Sequence, residues 1–240
     1  MARMTAIPEE ILGLRVAVIR STRRTAALHI VGNELHVRIP ERLGDERVAA
    51  ILQQKRPWIR AKAAEWQAVP LPRPRELVSG ESFPYLGRNY RLKVLEGGRV
   101  GVRLSGGYLR ATVRPGEQGA QRQRRIRQYL QTWYRSRALE RLREKTSRYA
   151  RQIGVTPAGI SVRTFKSRWG SCNTTGHLAF NWNIIKAPHA IANYVVIHEL
   201  CHLVHPNHSK DFWRLVGRHD DAYGEHRQWL KQRAAFLLGD

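Results

Sequence analysis

The first forty residues alternate between apolar and polar side chains with a period of two. The alternating runs are LRVAVIR (14–20), TAALHIVG (25–32) and ELHVRIP (34–40), and a Gly32-Asn33 pair separates the last two. Period-two runs bounded by turn residues are typical of half-buried β-strands. We therefore predict a short meander of strands at the start of the chain.

Between residues 44 and 75 the pattern changes to helical spacing and then to proline. Apolar residues recur at near-helical intervals over 44–67, and Pro57 marks a break, so a helix in two pieces is predicted. The segment VPLPRPR (69–75) carries three prolines. Such a segment favours an extended, stiff linker.

A second β-rich stretch follows the prolines. Its runs are FPYLG (83–87), YRLKVLE (90–96), RVGVRL (99–104) and YLRATV (108–113), and the pairs Gly97-Gly98 and Gly106-Gly107 separate the last three. Glycine pairs tolerate the left-handed backbone that tight hairpin turns need. Hairpins are therefore predicted at both pairs, and residues 1–115 together form a predicted β-rich region with a helical segment.

The remainder of the chain, residues 116–240, is predicted to contain both helices and strands. Apolar residues recur with a period near 3.6 from Glu117 to Ile153, which predicts a long helix with an arginine-rich outer face. After Gly154 the pattern predicts a strand, a turn at Thr175-Gly176, a second strand and another helix. This order of elements indicates an α+β fold.

The charge balance is the unusual feature of the composition. The chain of 240 residues carries 42 Lys and Arg against 19 Asp and Glu, which gives a formal net charge of +23. Two explanations remain open: a nucleic-acid or nucleotide partner, or a solvated basic surface without a dedicated partner. A hydrophobic content of 42% argues against wholesale disorder.

Cysteine usage and hydropathy bear on the compartment. Two cysteines allow one disulfide at most, and the first residues lack the apolar run of a secretory signal. No window approaches the ~20 apolar residues of a membrane span. We therefore expect a soluble, cytoplasmic protein without a membrane partner.

The strongest chemical signal lies on the helix predicted to begin near Pro188. His198-Glu199-Leu200-Cys201-His202 is an H-E-x-x-H sequence. Residues four apart stand one turn above each other on a helix, so both imidazoles can reach one ion. Glu199 projects about 100° round the helix from His198. That direction places its carboxylate beside the remaining coordination position, where a water-activating base is needed.

A catalytic zinc ion needs a third protein ligand and one open position. His208 lies ten residues after His198 and beyond the Pro206-Asn207 break, and His205 is the competing candidate. Weaker candidates lie further downstream: Asp211, His219, Glu225 and His226. We predict one Zn²⁺ per chain, held by His198, His202 and His208, with Glu199 as the catalytic base.

Four blocks of sequence around this motif resemble the YgjP-like metallopeptidase family, with a more distant likeness to the SprT and WLM zinc peptidases. The blocks are SRWGSC (167–172), NW (181–182) with AP (187–188), YVVIHELCH (194–202), and NHS (207–209) with FW (212–213). The resemblance implies a minimal, gluzincin-like zincin core in residues 116–240: a long helix, a small sheet with an edge strand, and the active-site helix. It also implies a zinc metallopeptidase, although one bacterial branch of the family is described as a UTP pyrophosphatase.

Motif and resemblance together favour a hydrolase that cleaves peptide bonds with a zinc-bound water activated by Glu199. The WGSC segment is expected to be an edge strand that holds an extended polypeptide substrate. The predicted substrate-binding residues are Trp169, Gly170, Ser171 and Asn181. Two alternatives remain open: hydrolysis of a nucleoside triphosphate such as UTP, with arginines clamping the phosphates, and a protease that acts on proteins at DNA.

Overall fold

The computed structural model describes residues 7–31, 33–67 and 75–238. By its internal contacts the chain divides into two compact units, one within residues 1–71 and the other within residues 72–240. The predicted linker over 69–75 lies outside the described residues, apart from Arg75.

The first unit is a four-stranded sheet with two helices. Its elements are β1 (Glu10–Ile11), β2 (Leu14–Ser21), β3 (Ala27–Val31), β4 (Glu34–Pro40), α1 (Asp45–Gln54) and α2 (Arg56–Gln67). The helix breaks at Lys55, and Pro57 lies in the first turn of α2, where a missing N–H does no harm. Alternate residues of β4 are fully buried in one core with residues of both helices: Leu35, Val37, Ile39, Val48, Leu52 and Ile59.

The second unit begins with another four-stranded sheet. Its strands are β5 (Ser82–Tyr85), β6 (Arg88–Glu96), β7 (Gly101–Ser105) and β8 (Tyr108–Val113). The strand order β5-β6-β8-β7 repeats the order β1-β2-β4-β3 of the first sheet, with the same pattern of parallel and antiparallel pairs. The first hairpin of each sheet also turns through a Leu-Gly pair with positive φ, Leu12-Gly13 and Leu86-Gly87. Positive φ at both central residues is the signature of a tight type I′ turn.

Two sequence expectations about strand pairing are wrong. β2 pairs in parallel with β4, so the first strands do not form a simple meander. β6 likewise pairs in parallel with β8, so the Gly97-Gly98 segment leads into a crossover, whereas the Gly106-Gly107 turn does form the predicted hairpin between β7 and β8. Alternation shows which face of a strand is buried, but it does not show which strand is its neighbour.

A helix of 35 residues, α3 (Gly119–Ile153), follows the second sheet. It ends at Gly154, whose left-handed backbone (φ 80°) is the usual helix stop. Its buried residues recur every three or four positions as predicted: Ile126, Leu130, Trp133, Tyr134, Ala138, Leu142, Thr146, Tyr149 and Ala150. The helix shares one hydrophobic core with β5–β8, and the predicted region boundary at residues 115/116 therefore falls inside the second unit.

The rest of the second unit carries the candidate chemistry. Its elements are β9 (Gly159–Arg163), β10 (Gly170–Cys172), β11 (His177–Asn181), a 3₁₀ helix (Trp182–Lys186), α4 (His189–Cys201), α5 (Lys210–His219) and α6 (Tyr223–Leu238). The three strands form a small sheet in the order β10-β11-β9. The chain is thus an α+β protein, as its pattern predicts. None of the helices in the described ranges has the length and apolarity needed to cross a bilayer.

Candidate metal centre

The helix that carries the H-E-x-x-H sequence runs through the core. Nine of the 13 residues of α4 are buried, because its sequence is apolar on almost every face. The last residue of α4 is Cys201, and His202 follows directly in a helical conformation (φ −68°, ψ −18°). The i, i+4 relationship is therefore kept, and the imidazole rings of His198 and His202 lie 4.9 Å apart.

His208 joins these two imidazoles from the loop before α5. Its Nε2 lies 3.1 Å from Nε2 of His198, and one nitrogen from each of the three histidines lies within 4.8 Å of the others. Zinc–nitrogen bonds of 2.0–2.1 Å in tetrahedral geometry place two ligand atoms about 3.3 Å apart. The three imidazoles are thus close enough to hold one metal ion. Among the described residues they are the sole group of three or more His, Cys, Asp or Glu side chains brought together in this way.

His205 is not one of the three grouped histidines, but its backbone carbonyl contacts one of them. The backbone turns after α4, where the amides of Val204 and His205 both donate to the carbonyl of Cys201. The carbonyl of His205 then accepts a hydrogen bond of 3.1 Å from Nδ1 of His202. This bond leaves Nε2 of His202 as the nitrogen with a free lone pair, which is the usual way in which a metal-binding histidine is oriented.

Aromatic rings of α5 pack against the histidines: Phe212 contacts all three, and Trp213 contacts His198 and His208. The ring of Phe212 is fully buried and its centroid lies 4.9, 4.5 and 4.8 Å from the rings of His198, His202 and His208. The ring of Trp213 stacks on His208 at 5.5 Å. Both residues come from the first turn of α5, which Ser209 caps by accepting a hydrogen bond from the amide of Phe212. The cap therefore places the aromatic residues and His208 together.

The protonation of the histidines suits a metal ligand. Burial, with the positive charges of His202, His208 and Arg227, lowers the pKa of His198 to about 3. Burial also lowers the pKa of His202, although its bond to the His205 carbonyl acts in the opposite direction. Metal binding requires the neutral imidazole, which is the form these shifts favour. Nδ1 of His198 is buried and has no hydrogen-bond partner in the described part of the chain.

Glu199 lies beside the histidines with its carboxylate against strand β10. Glu199 is only 6% exposed, and a Cβ atom added to Gly170 would lie 2.5 Å from Oε1 of Glu199. Position 170 therefore has room for glycine alone. Burial raises the pKa of the Glu199 carboxyl to about 8, and the positive charge of Arg168 partly offsets the rise. Burial therefore favours the protonated carboxyl, whereas a neighbouring cation favours the carboxylate.

Among the described residues, strand β10 has a neighbouring strand on one side alone, which leaves an open edge beside this carboxylate. It pairs antiparallel with β11, and in this register Trp169 accepts from the amide of Asn181 while the amide of Asn173 donates to His177. Hydrogen-bonded pairs alternate along an antiparallel ladder, so Ser171 also bonds to β11. The amide and carbonyl groups of Gly170 and Cys172 therefore point away from β11.

Of the four predicted substrate-binding residues, Trp169 and Gly170 line the cleft and Ser171 lies between Gly170 and Cys172 on the edge strand. Asn181 lies elsewhere: it is fully buried, and its side-chain amide donates to the carbonyls of Phe165 and Arg168. Its carboxamide oxygen accepts from the amide of Asn183. Asn181 thus orders the loop that leads into β10.

The cleft at this site has a volume of about 430 Å³ and contains residues that the sequence did not single out. It is lined by Arg168, Trp169, Gly170, Tyr194, Val195, His198, Glu199, Arg227, Leu230, Lys231 and Ala234. Tyr194 lies one turn before His198 on α4, and burial raises the pKa of its phenol to about 12, which keeps it protonated. Arg227 and Lys231 come from one face of α6. In the sequence, their spacing of four residues indicates only that they lie on the same face of a helix.

Three converging imidazoles beside a buried carboxylate define the kind of site that metal-dependent peptidases use. The family model described as "YgjP-like, metallopeptidase domain" matches residues 24–233, and the chain belongs to this family. It is thus a metallopeptidase at the level of its family.

A search of curated proteins finds no match at a significant level. Among solved structures, the metallopeptidase zymogen of Pyrococcus abyssi abylysin is similar to this chain with 18% sequence identity and a TM-score of 0.35. That similarity covers 38% of this chain and 93% of the abylysin chain.

Proposed function

We propose that this protein is a zinc peptidase in which His198, His202 and His208 hold the ion and Glu199 is the general base. The observation that carries the proposal is the arrangement of three imidazole nitrogens within 4.8 Å of one another beside a carboxylate that is buried against an edge strand. A closed structural zinc site uses four protein ligands, whereas this group offers three.

A bound zinc ion supplies Lewis-acid chemistry, which acidifies water and polarises a carbonyl. Glu199 takes the proton from the attacking water, because its carboxylate lies next to His198 and is shielded from solvent. It then passes this proton to the nitrogen of the leaving amine. Burial raises the pKa of this carboxyl, and the charge of a bound zinc ion would lower it, so a zinc-loaded site would favour the ionised form that accepts a proton.

The edge strand β10 supports a peptide as the substrate. The outward amides and carbonyls of Gly170 and Cys172 match the main-chain groups of an extended polypeptide. Such binding places the scissile carbonyl beside Glu199, because Gly170 itself contacts that residue. We propose Trp169, Gly170 and Ser171 as the substrate-binding residues of this strand.

Zinc content and proteolysis test the proposal together. The native chain, Glu199→Gln and the control Glu46→Gln, an exposed residue of α1, would be assayed for bound zinc and for hydrolysis of casein. Glu199→Gln should keep a full zinc load and lose about 10²–10⁴-fold in turnover, the usual contribution of a general base. Native turnover in Glu199→Gln would reject the assigned base.

Hydrolysis of a nucleoside triphosphate is the second candidate, and the cationic side chains of Arg168, Arg227 and Lys231 in the cleft favour it. Arginine and lysine bind phosphate oxygens through charge-assisted hydrogen bonds. Incubation of the same enzyme sample with casein and with UTP, each compared with Glu199→Gln, separates the two reactions. Consumption of UTP alone would replace the peptidase proposal.

Nucleic acid remains a proposed partner through the exposed arginines of α3. These are Arg124, Arg125, Arg127, Arg135, Arg143, Arg148 and Arg151. If the helix binds DNA, its affinity should fall steeply with added salt, because phosphate contacts release counterions. A cytoplasmic location remains a prediction from the sequence.

A further inference from the structure

The cleft beside the candidate metal centre has a cationic wall. Arg168 comes from the loop before β10, and Arg227 and Lys231 lie one turn apart on α6. All three are exposed, and Glu199 is the one carboxylate among the residues that line this cleft. Within the described ranges, none of the three cations forms an ion pair with a carboxylate. Their charges are therefore available to a bound molecule.

Arg227 is held in place by aromatic packing. Its guanidinium carbon lies 4.9 Å from the centre of the Trp213 ring, which also stacks on Tyr223 at 5.4 Å and on His208 at 5.5 Å. A guanidinium stacked on a ring still presents N–H donors along its edge. The stack thus places a donor group against the same ring that packs on the candidate metal ligand His208.

A second hollow, of about 510 Å³, shares the lining residue Arg227 with the first. It is lined by Lys210, Trp213, Arg214, Gly217, Tyr223 and Arg227. Arg214 is paired with Asp211 at 2.6 Å, but Lys210 adds a further exposed cation. Positive charge is therefore spread over two hollows that share Arg227 instead of converging on one point. An extended segment with several carboxylates fits this distribution better than a compact triphosphate does.

We propose that the site prefers polypeptide segments that carry Asp or Glu close to the scissile bond. The inference rests on the proposed peptidase function and adds the class of sequence that it acts on. Arg168, Arg227 and Lys231 attract substrate carboxylates, and the free edge of β10 aligns the backbone of the same segment. Complementary charges of this kind determine which partner binds and how fast it associates.

Three fluorogenic peptides of one length test the preference. They differ only in the residues next to the scissile bond, which are Glu, Gln or Lys. The kcat/KM for the Glu peptide should exceed that for the Gln peptide by about tenfold, the range expected for a charged hydrogen bond, and the Lys peptide should be slowest. Added salt should narrow the difference through screening. Equal rates for the three peptides would overturn the preference.

The same assays distinguish a failure of the proposed peptidase function from a failure of the substrate preference. If none of the peptides is cleaved while UTP is consumed in a Glu199-dependent way, both the peptidase function and this inference are rejected. Cleavage of all peptides at equal rates rejects the inference alone.

Charge variants on α6 assign the preference to particular residues. Arg227→Gln and Lys231→Gln should each lower the Glu-to-Gln ratio of kcat/KM, and Arg227→Glu should shift the preference toward the Lys peptide. Arg233→Gln, an exposed arginine of the same helix outside the cleft, is the matched control and should keep the native ratio. Because Arg227 packs on Trp213, zinc content and thermal unfolding are measured for each variant. If Lys231→Gln and Arg227→Gln both fold, bind zinc and keep the native Glu-to-Gln ratio of kcat/KM, the assignment is wrong.

Discussion

A Cβ placed on Gly170 would lie 2.5 Å from Oε1 of Glu199. The backbone of each residue is held in place: Gly170 is paired with Phe180 in the small sheet, and Glu199 lies on the buried helix α4. The glycine thus sets the position of the carboxylate that the proposed mechanism depends on.

Gly170→Ala should therefore impair activity more than it impairs folding. The added methyl group displaces the Glu199 carboxylate, and we expect kcat/KM to fall by roughly 10²-fold, the lower end of what a general base contributes. Casein hydrolysis, bound zinc and thermal unfolding would be measured. Gly224→Ala is the control, since a Cβ at that position meets no atom within 4 Å. An active Gly170→Ala enzyme would show that Glu199 has another position during turnover.

Measurements of zinc affinity distinguish between His208 and His205 as the third metal ligand. His208→Ala removes one of three converging nitrogens and should weaken zinc binding by more than about 10²-fold, since loss of even an outer partner of a ligand costs about 10–100-fold. His205→Ala should bind zinc almost as the native chain does, because His205 acts through its backbone carbonyl. Competition with a chromophoric chelator measures both affinities. The reverse order of affinities would transfer the ligand role to His205.

We expect Asn181 to contribute to the stability of the fold and to affect activity only indirectly. Asn181→Ala leaves the carbonyls of Phe165 and Arg168 without their donor, which should lower the free energy of unfolding by about 1–3 kcal/mol. Urea denaturation measures the change, with the exposed Asn89→Ala as the control. A fully stable Asn181→Ala with a raised KM would instead indicate direct contact with substrate.

Lys145 on α3 should be the most reactive lysine near pH 8. Burial, and after it the charge of Arg148, lowers the pKa of its ammonium to about 8. The folded state therefore releases this proton before the unfolded state does, so this group makes stability rise as the pH increases from about 8 to about 10.5, with no further change below pH 8. Trace acetylation followed by mass spectrometry, with the exposed Lys93 as the reference, measures the titration. Similar labelling curves for the two lysines would disprove the shift.

The part of the site that depends on local geometry could be predicted from the sequence. His198 and His202 are four residues apart on a helix, so their proximity follows from helical geometry alone. The break at Pro206-Asn207 made the return of His208 toward the same point predictable. The long helix α3 was predictable for a similar reason, because its buried residues follow one period.

Contacts between distant segments could not be predicted in this way. The contact of Gly170 with Glu199 joins an edge strand to a helix, and Arg168 and Arg227 line one cleft although 59 positions separate them in the chain. Parallel pairing of β6 with β8 is another such case. These relationships arise from tertiary packing, which neither periodicity nor composition encodes.

The position of His202 directly after the last residue of α4 has a consequence for local motion. Helix ends open more readily than helix centres, and here the amides of Leu203, Val204 and His205 bond back to Leu200 and Cys201. A cation that joins His198, His202 and His208 would raise the free energy of opening this segment, since it binds the closed form only. These three amides should then exchange with deuterium markedly more slowly when zinc is present.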